Sequence, residues 1–99
     1  MLAHQYYVSI VTNPAKTTVY IGVTNDIRRR IQEHFENRGN RNTFAGRYFC
    51  YNLMHYEFFE HAEGAIAREK EIKGWTRAKK DALVAAKNPQ WLTLNYAEL

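Results

Sequence analysis

Cysteine is the scarcest resource of this 99-residue chain, with Cys50 its only example. A lone thiol excludes an intrachain disulfide and a cysteine-based zinc site. Long apolar runs are also missing: none approaches the ~20 residues of a membrane span. The start, Met1-Leu2-Ala3-His4-Gln5, lacks a charged region followed by an apolar one, so no signal peptide is visible. There is no internal repeat and no low-complexity segment. His4, His55 and His61 are scattered without metal-ligand spacing. Together these absences lead to the expectation of a cytoplasmic protein with no membrane partner, folded as one domain over residues 1–99.

What is present is a moderate apolar fraction, 45%, enough for a single core. The net charge is +4 and the isoelectric point about 9.3. A basic balance on a small domain permits a polyanionic partner such as nucleic acid without requiring one. Aromatic residues make up 14% of the chain, seven of them tyrosine, and serve first to build a core.

Tyr6 to Val11 is rich in β-branched and aromatic residues and reads as a strand. Thr12 to Thr17 is turn chemistry, because Asn13 precedes Pro14. Thr18 to Val23 returns as a second strand, giving an antiparallel hairpin. Thr24-Asn25-Asp26 supplies helix N-cap candidates. Ile27, Ile31 and Phe35 then recur at i, i+4 and i+8 as an apolar stripe. Arg30 and His34 share one flank of that stripe, while Arg28 falls on the opposite flank and Arg29 points away.

Asn37 to Cys50 reads as a polar, basic loop with room for a short helical turn. Leu53 to Phe59 is a third strand, Ala62 to Lys73 a helix broken at Gly74, and Thr76 to Lys87 a helix stopped by Asn88-Pro89. The apolar tail from Trp91 is expected to dock on the core. The fold class is therefore α+β, a three-stranded antiparallel sheet flanked by helices. On the second helix the inward stripe is expected to be Ala62, Ala65, Ile66, Ile72 and the base of Lys73, with Glu69 in its midst. A carboxylate on an apolar face is costly unless it is paired or binds a cation.

Tyr20, Arg30, His34 and Glu69 thus offer a phenol, a guanidinium, an imidazole and a carboxylate, the groups that metal-assisted phosphodiester hydrolysis needs. Arg30 can hold phosphate oxygens bidentately, and one carboxylate suits a hydrated Mg²⁺. The plain alternative is a core tyrosine, a surface Arg–His pair and a Glu69–Lys73 ion pair at i,i+4. On residue types alone that alternative stands ahead. Arg38, Arg41 and Arg47, interleaved with Phe44 and Tyr48, are candidates for a DNA backbone with stacked bases, or for a solvated loop anchored by two aromatics.

The sequence Tyr20-Ile21-Gly22-Val23-Thr24-Asn25-Asp26, the basic helix after it, Arg68-Glu69-Lys70-Glu71-Ile72-Lys73-Gly74-Trp75 and Asn88-Pro89-x-Trp91 together resemble the GIY-YIG nuclease domain, in particular its small stand-alone bacterial branch. The likeness covers nearly the whole chain. It implies cleavage of DNA with a divalent metal, Mg²⁺ or Mn²⁺. Tyr20 would be the base or water-positioning phenol, Arg30 the phosphate clamp, His34 an auxiliary proton-transfer residue and Glu69 the metal ligand. No separate DNA-binding segment accompanies the domain, so specificity would be low or supplied by a partner protein. Two positions depart from the family pattern. Ser9 stands where the first motif tyrosine belongs, with Tyr7 on the same strand face roughly 7 Å along as a substitute phenol. Val23 replaces a lysine that some members carry near the phosphate. These departures keep a second reading open, a nucleic-acid-binding domain of weak or lost catalysis. A protein-interaction domain on the same scaffold has no positive support in the sequence.

Overall fold

The computed structural model describes residues 5–96, so His4 lies outside the described residues. The elements run β1 (Tyr6–Thr12), β2 (Val19–Thr24), α1 (Ile27–Glu36), α2 (Phe44–Arg47), β3 (Asn52–Phe59), α3 (Ala62–Lys73) and α4 (Arg77–Lys87). The sheet is antiparallel throughout, in the order β2-β1-β3. β1 is central and buried on both faces, which explains its continuous apolar and β-branched sequence. The turn after it is organised by Asn13, whose Oδ1 accepts from the backbone N–H of Thr17 and Thr18 at 2.9 and 3.0 Å.

Register decides which side chains share a face. Ser9 pairs with Gly22 on one side and Tyr56 on the other, and Val11 pairs with Tyr20. A bulge between Ile10 and Val11 shifts the β3 pairing from His55 to Leu53. One face buries Tyr7, Val11 and Leu53 under Ile27 and Ile31 of α1. The other buries Val8, Ile10 and Ile21 under Ala65 and Ile72 of α3 and Val84 of α4. The tail docks as expected: Leu94 N–H donates to Leu53 O at 2.9 Å, and Asn88 Nδ2 donates to Met54 O at 3.1 Å.

Two expected stripe residues lie outside. Phe35 is 46% exposed, its ring edge-on to Tyr51 and covered by the Arg38 guanidinium 3.9 Å away. Ile66 is 43% exposed, because the inward face of α3 runs through Ala65, Ile72 and the half-buried Arg68 and Glu69. In the basic loop the short helical turn for which the sequence leaves room is α2. Its N-cap Thr43 accepts from Gly46 N–H at 3.0 Å. A Cβ at Gly46 would lie 2.6 Å from Asn40 O, so only glycine lets this turn close.

Arg68 ties α3 to β3. Its Nε and Nη2 donate to Glu57 at 2.8 and 3.1 Å, and Nη1 donates to Glu71 at 2.7 Å. The buried His55 donates to Glu57 at 2.9 Å. Burial pushes the Glu57 carboxyl up, but hydrogen bonds and charge from Arg68 and His55 outweigh it and hold the group below its ordinary 4.5. Folding therefore gains stability above that value and loses it as pH falls through the lower folded-state value. Replacing Arg68 with Met is expected to cost about 1–3 kcal/mol at neutral pH by chemical denaturation. The wild-type stability should fall more than the variant's on acidification below pH 4.5.

Candidate active site

Tyr20 is the hub of the candidate residues. Its half-buried ring makes a T-shaped contact with His34, centroids 5.8 Å apart at 81°. α1 brings His34 there. Its N-cap is Asp26, which accepts from Arg29 N–H at 3.1 Å, so the helix starts immediately after β2 and runs back along it. Gly22 gives the ring its room. A Cβ on that residue would come within 3.3 Å of Tyr20 Cε2 and 3.9 Å of the phenol oxygen. The Tyr20 phenol therefore overhangs Gly22, the cross-strand neighbour of Ser9.

Arg30 reaches this assembly through His34, one helical turn along, and also pairs with Glu33 at 3.7 Å. Burial, then the Arg30 charge, depress the His34 imidazole below its ordinary 6.5, with Glu33 opposing. The ring is thus neutral at physiological pH and able to accept a proton. Arg28 and Arg29 are exposed, Arg29 being held by Asn25 Oδ1 at 3.0 Å.

Glu69 belongs to the helical layer on the other face of the sheet, yet joins the same group. Its carboxylate is 20% exposed and pairs with Lys73 Nζ at 3.4 Å. That ammonium lies 5.8 Å from the centre of the Tyr20 ring. β2 is an edge strand, so a side chain from α3 can pass around it to the face that carries Tyr20. Glu69 is thus held by the i,i+4 ion pair, and Lys73 in turn approaches the Tyr20 ring. As a partly exposed pair with a long contact, Glu69–Lys73 is worth no more than about 1 kcal/mol.

A second aromatic face extends from the hub. Phe44 stacks on Tyr20 with centroids 5.8 Å apart at 25°, and Tyr48 follows Phe44 at 4.8 Å. Both are exposed, at 50% and 42%. Arg41 and Arg47 line the same shallow groove with Phe44 and Tyr48. Arg38 is engaged otherwise, donating to Phe35 O at 2.8 Å and covering the Phe35 ring. The sequence offers Phe44 for stacking on bases or for anchoring a solvated loop; its contact with Tyr20 depends on how the long connection folds back, which local pattern does not encode.

Ser9 and Tyr7 fare differently from Tyr20. Ser9 is 2% exposed, and its flanking residues on this face are Gly22 and Tyr56. Tyr7 is 7% exposed, with its ring edge-on to Tyr56 and Phe58 at 6.2 and 5.7 Å. It opens on a hollow beside Asn25, Asp26 and Arg28, at the N-terminal end of α1 and away from His34. The phenol beside Ser9 is therefore the half-buried Tyr56, a residue that only strand register reveals. Burial pushes the Cys50 thiol up to about 11, which removes it as a nucleophile.

The GIY-YIG catalytic domain matches residues 5–81. The chain belongs to the GIY-YIG family. Its relatives include UPF0213 proteins of Natronomonas pharaonis, 39% identical over 85% of this chain and 95% of theirs, and of Haloquadratum walsbyi, 35% identical over 81% and 88%. The UPF0213 protein of Bacillus halodurans, solved by NMR, superposes with a TM-score of 0.55 at 32% identity, covering 88% of this chain and 89% of that one. This GIY-YIG branch thus extends beyond bacteria to archaea.

Among the described residues no group of three or more His, Cys, Asp and Glu side chains could hold a metal. The donor set still fits a GIY-YIG cation, because Mg²⁺ keeps several waters and needs one or two carboxylates beside substrate phosphate. Glu69 supplies one. Replacing Arg30 with Gln should raise the His34 titration midpoint toward the ordinary value, read from its imidazole proton shifts by NMR, since the second cause of the depression is removed.

Proposed function

We propose that this GIY-YIG domain is a metal-dependent DNA endonuclease with its centre at Tyr20. The observation that carries the reading is the meeting of Tyr20 with His34 from α1 and with the Glu69–Lys73 pair from α3 around the edge of β2. The phenol orients the attacking water above Gly22. The neutral imidazole of His34 takes up the proton released as the water oxygen bonds to phosphorus. Arg30 holds the non-bridging phosphate oxygens as charge grows on them. Glu69 would hold a Mg²⁺ or Mn²⁺ ion, whose chemistry when bound is to stabilise that charge and the leaving oxygen. Phe44 and Tyr48 receive bases, while Arg41 and Arg47 track the backbone. Arg38 adds charge at the margin. Tyr7 is assigned a packing part.

Ser9 favours a second reading. It puts a short, buried hydroxyl where the family has a phenol, which suits a domain that binds nucleic acid and cleaves it weakly or not at all. A nicking assay on supercoiled, branched and single-stranded DNA with Mg²⁺ or Mn²⁺ separates the two. Cleavage should fall by about a hundredfold or more in Tyr20→Phe and in Glu69→Gln. Undiminished cleavage in both variants would refute the assigned roles; binding without cleavage by the wild type would establish the second reading. Phe44→Ala should keep the fold and weaken DNA binding by about tenfold, measured by fluorescence anisotropy.

A further inference from the structure

The pairing of Glu69 with Lys73 has a consequence for the order in which ligands arrive. A carboxylate offered as the sole protein ligand of a divalent ion is already neutralised by an ammonium 3.4 Å away. With no group of three or more acidic, imidazole or thiol side chains to enclose it among the described residues, the ion must complete its shell largely from water and phosphate. Until DNA is bound the phosphate is absent, and Lys73 and the metal compete for one carboxylate.

The ammonium is placed to move. It lies 3.4 Å from the Glu69 carboxylate and 5.8 Å from the centre of the Tyr20 ring, beside which the proposed reaction positions an incoming phosphate oxygen. Lys73 ends α3 and its side chain is 48% exposed, so a few rotatable bonds carry the charge from carboxylate to phosphate without disturbing the core. We propose that Lys73 is a place-holder: it occupies the metal-binding carboxylate in the DNA-free protein and transfers to the substrate phosphate when DNA and metal arrive. Metal and DNA then bind with positive coupling, because each makes room for the other. This rests on the nuclease reading above and adds to it a positioning residue and an order of assembly.

The test uses the purified chain without DNA. Mn²⁺ binding is measured by the loss of the free-ion paramagnetic resonance signal in wild type, Lys73→Met and Lys73→Arg, with Glu69→Gln as the control that removes the site. The Met variant keeps most of the stem and loses the charge. Its Mn²⁺ affinity should rise by about fivefold, the worth in water of the one unit-charge pair with Glu69 that no longer competes. The Arg variant should stay near wild type. In parallel, the slope of log DNA affinity against log salt should become shallower by about 1 in the Met variant, one phosphate contact fewer. An unchanged Mn²⁺ affinity or an unchanged salt slope in the Met variant overturns the proposal. If wild type nicks DNA and the Met variant is unaltered in both, this inference alone fails. If wild type binds neither Mn²⁺ nor DNA, the nuclease reading fails and takes the inference with it.

Discussion

A three-stranded sheet buried on both faces separates its two helical layers, and groups from those layers can meet only around an edge. That constraint organises this molecule. β1 occupies the middle and is packed from above and below. The β3 side receives the tail through the Leu94 to Leu53 hydrogen bond. The β2 side carries Tyr20, and there the α1 and α3 layers come together through His34 and Lys73. Gly22 keeps the crossing open by leaving space for the Tyr20 ring.

The parts that hold this arrangement are distinct from the parts proposed to act. Glu57, Arg68 and His55 clamp α3 to β3 with strong, partly buried hydrogen bonds. Arg77 ties α4 to the β1–β2 turn by donating to Thr17 O and Lys16 O at 2.7 and 3.1 Å. By contrast, Glu69–Lys73 and Arg30–Glu33 are long pairs, at 3.4 and 3.7 Å, whose cations reach solvent. Strong clamps away from the hub and weak pairs at it leave the charged groups around Tyr20 free to exchange partners when a polyanion binds.

Much of this was legible in the residues. The β-branched and aromatic runs, Asn13-Pro14, the cap at Asp26 and the breaks at Gly74 and Asn88-Pro89 mark the elements to within a residue or two, because each is a local effect. Helical phase also singled out Arg30 and His34. The errors came where tertiary packing overrides periodicity. Phe35 and Ile66 have the right spacing for a core, but Phe35 packs outside against Tyr51 and Arg38, and the inward face of α3 runs through Ala65 and Ile72 instead of Ile66. The Tyr20–Phe44 stack and the Ser9–Tyr56 neighbourhood are products of chain return and strand register across long separations. No local pattern carries them. Ser9 itself was readable as a departure, but Tyr7 proved a core residue with its ring packed against Tyr56 and Phe58.

The central claim is that chemistry takes place at the β2 edge, with a metal on Glu69 and a phosphate beside Tyr20. Crystals of the Tyr20→Phe protein with a short DNA and Mn²⁺ examine it most directly, through the anomalous scattering of manganese. The account predicts one manganese peak on the Glu69 carboxylate, bridged to a phosphate that also meets Arg30, with Lys73 moved off Glu69. A manganese ion elsewhere, or DNA seated on the α4 side of the sheet with Glu69 still paired to Lys73, would contradict it.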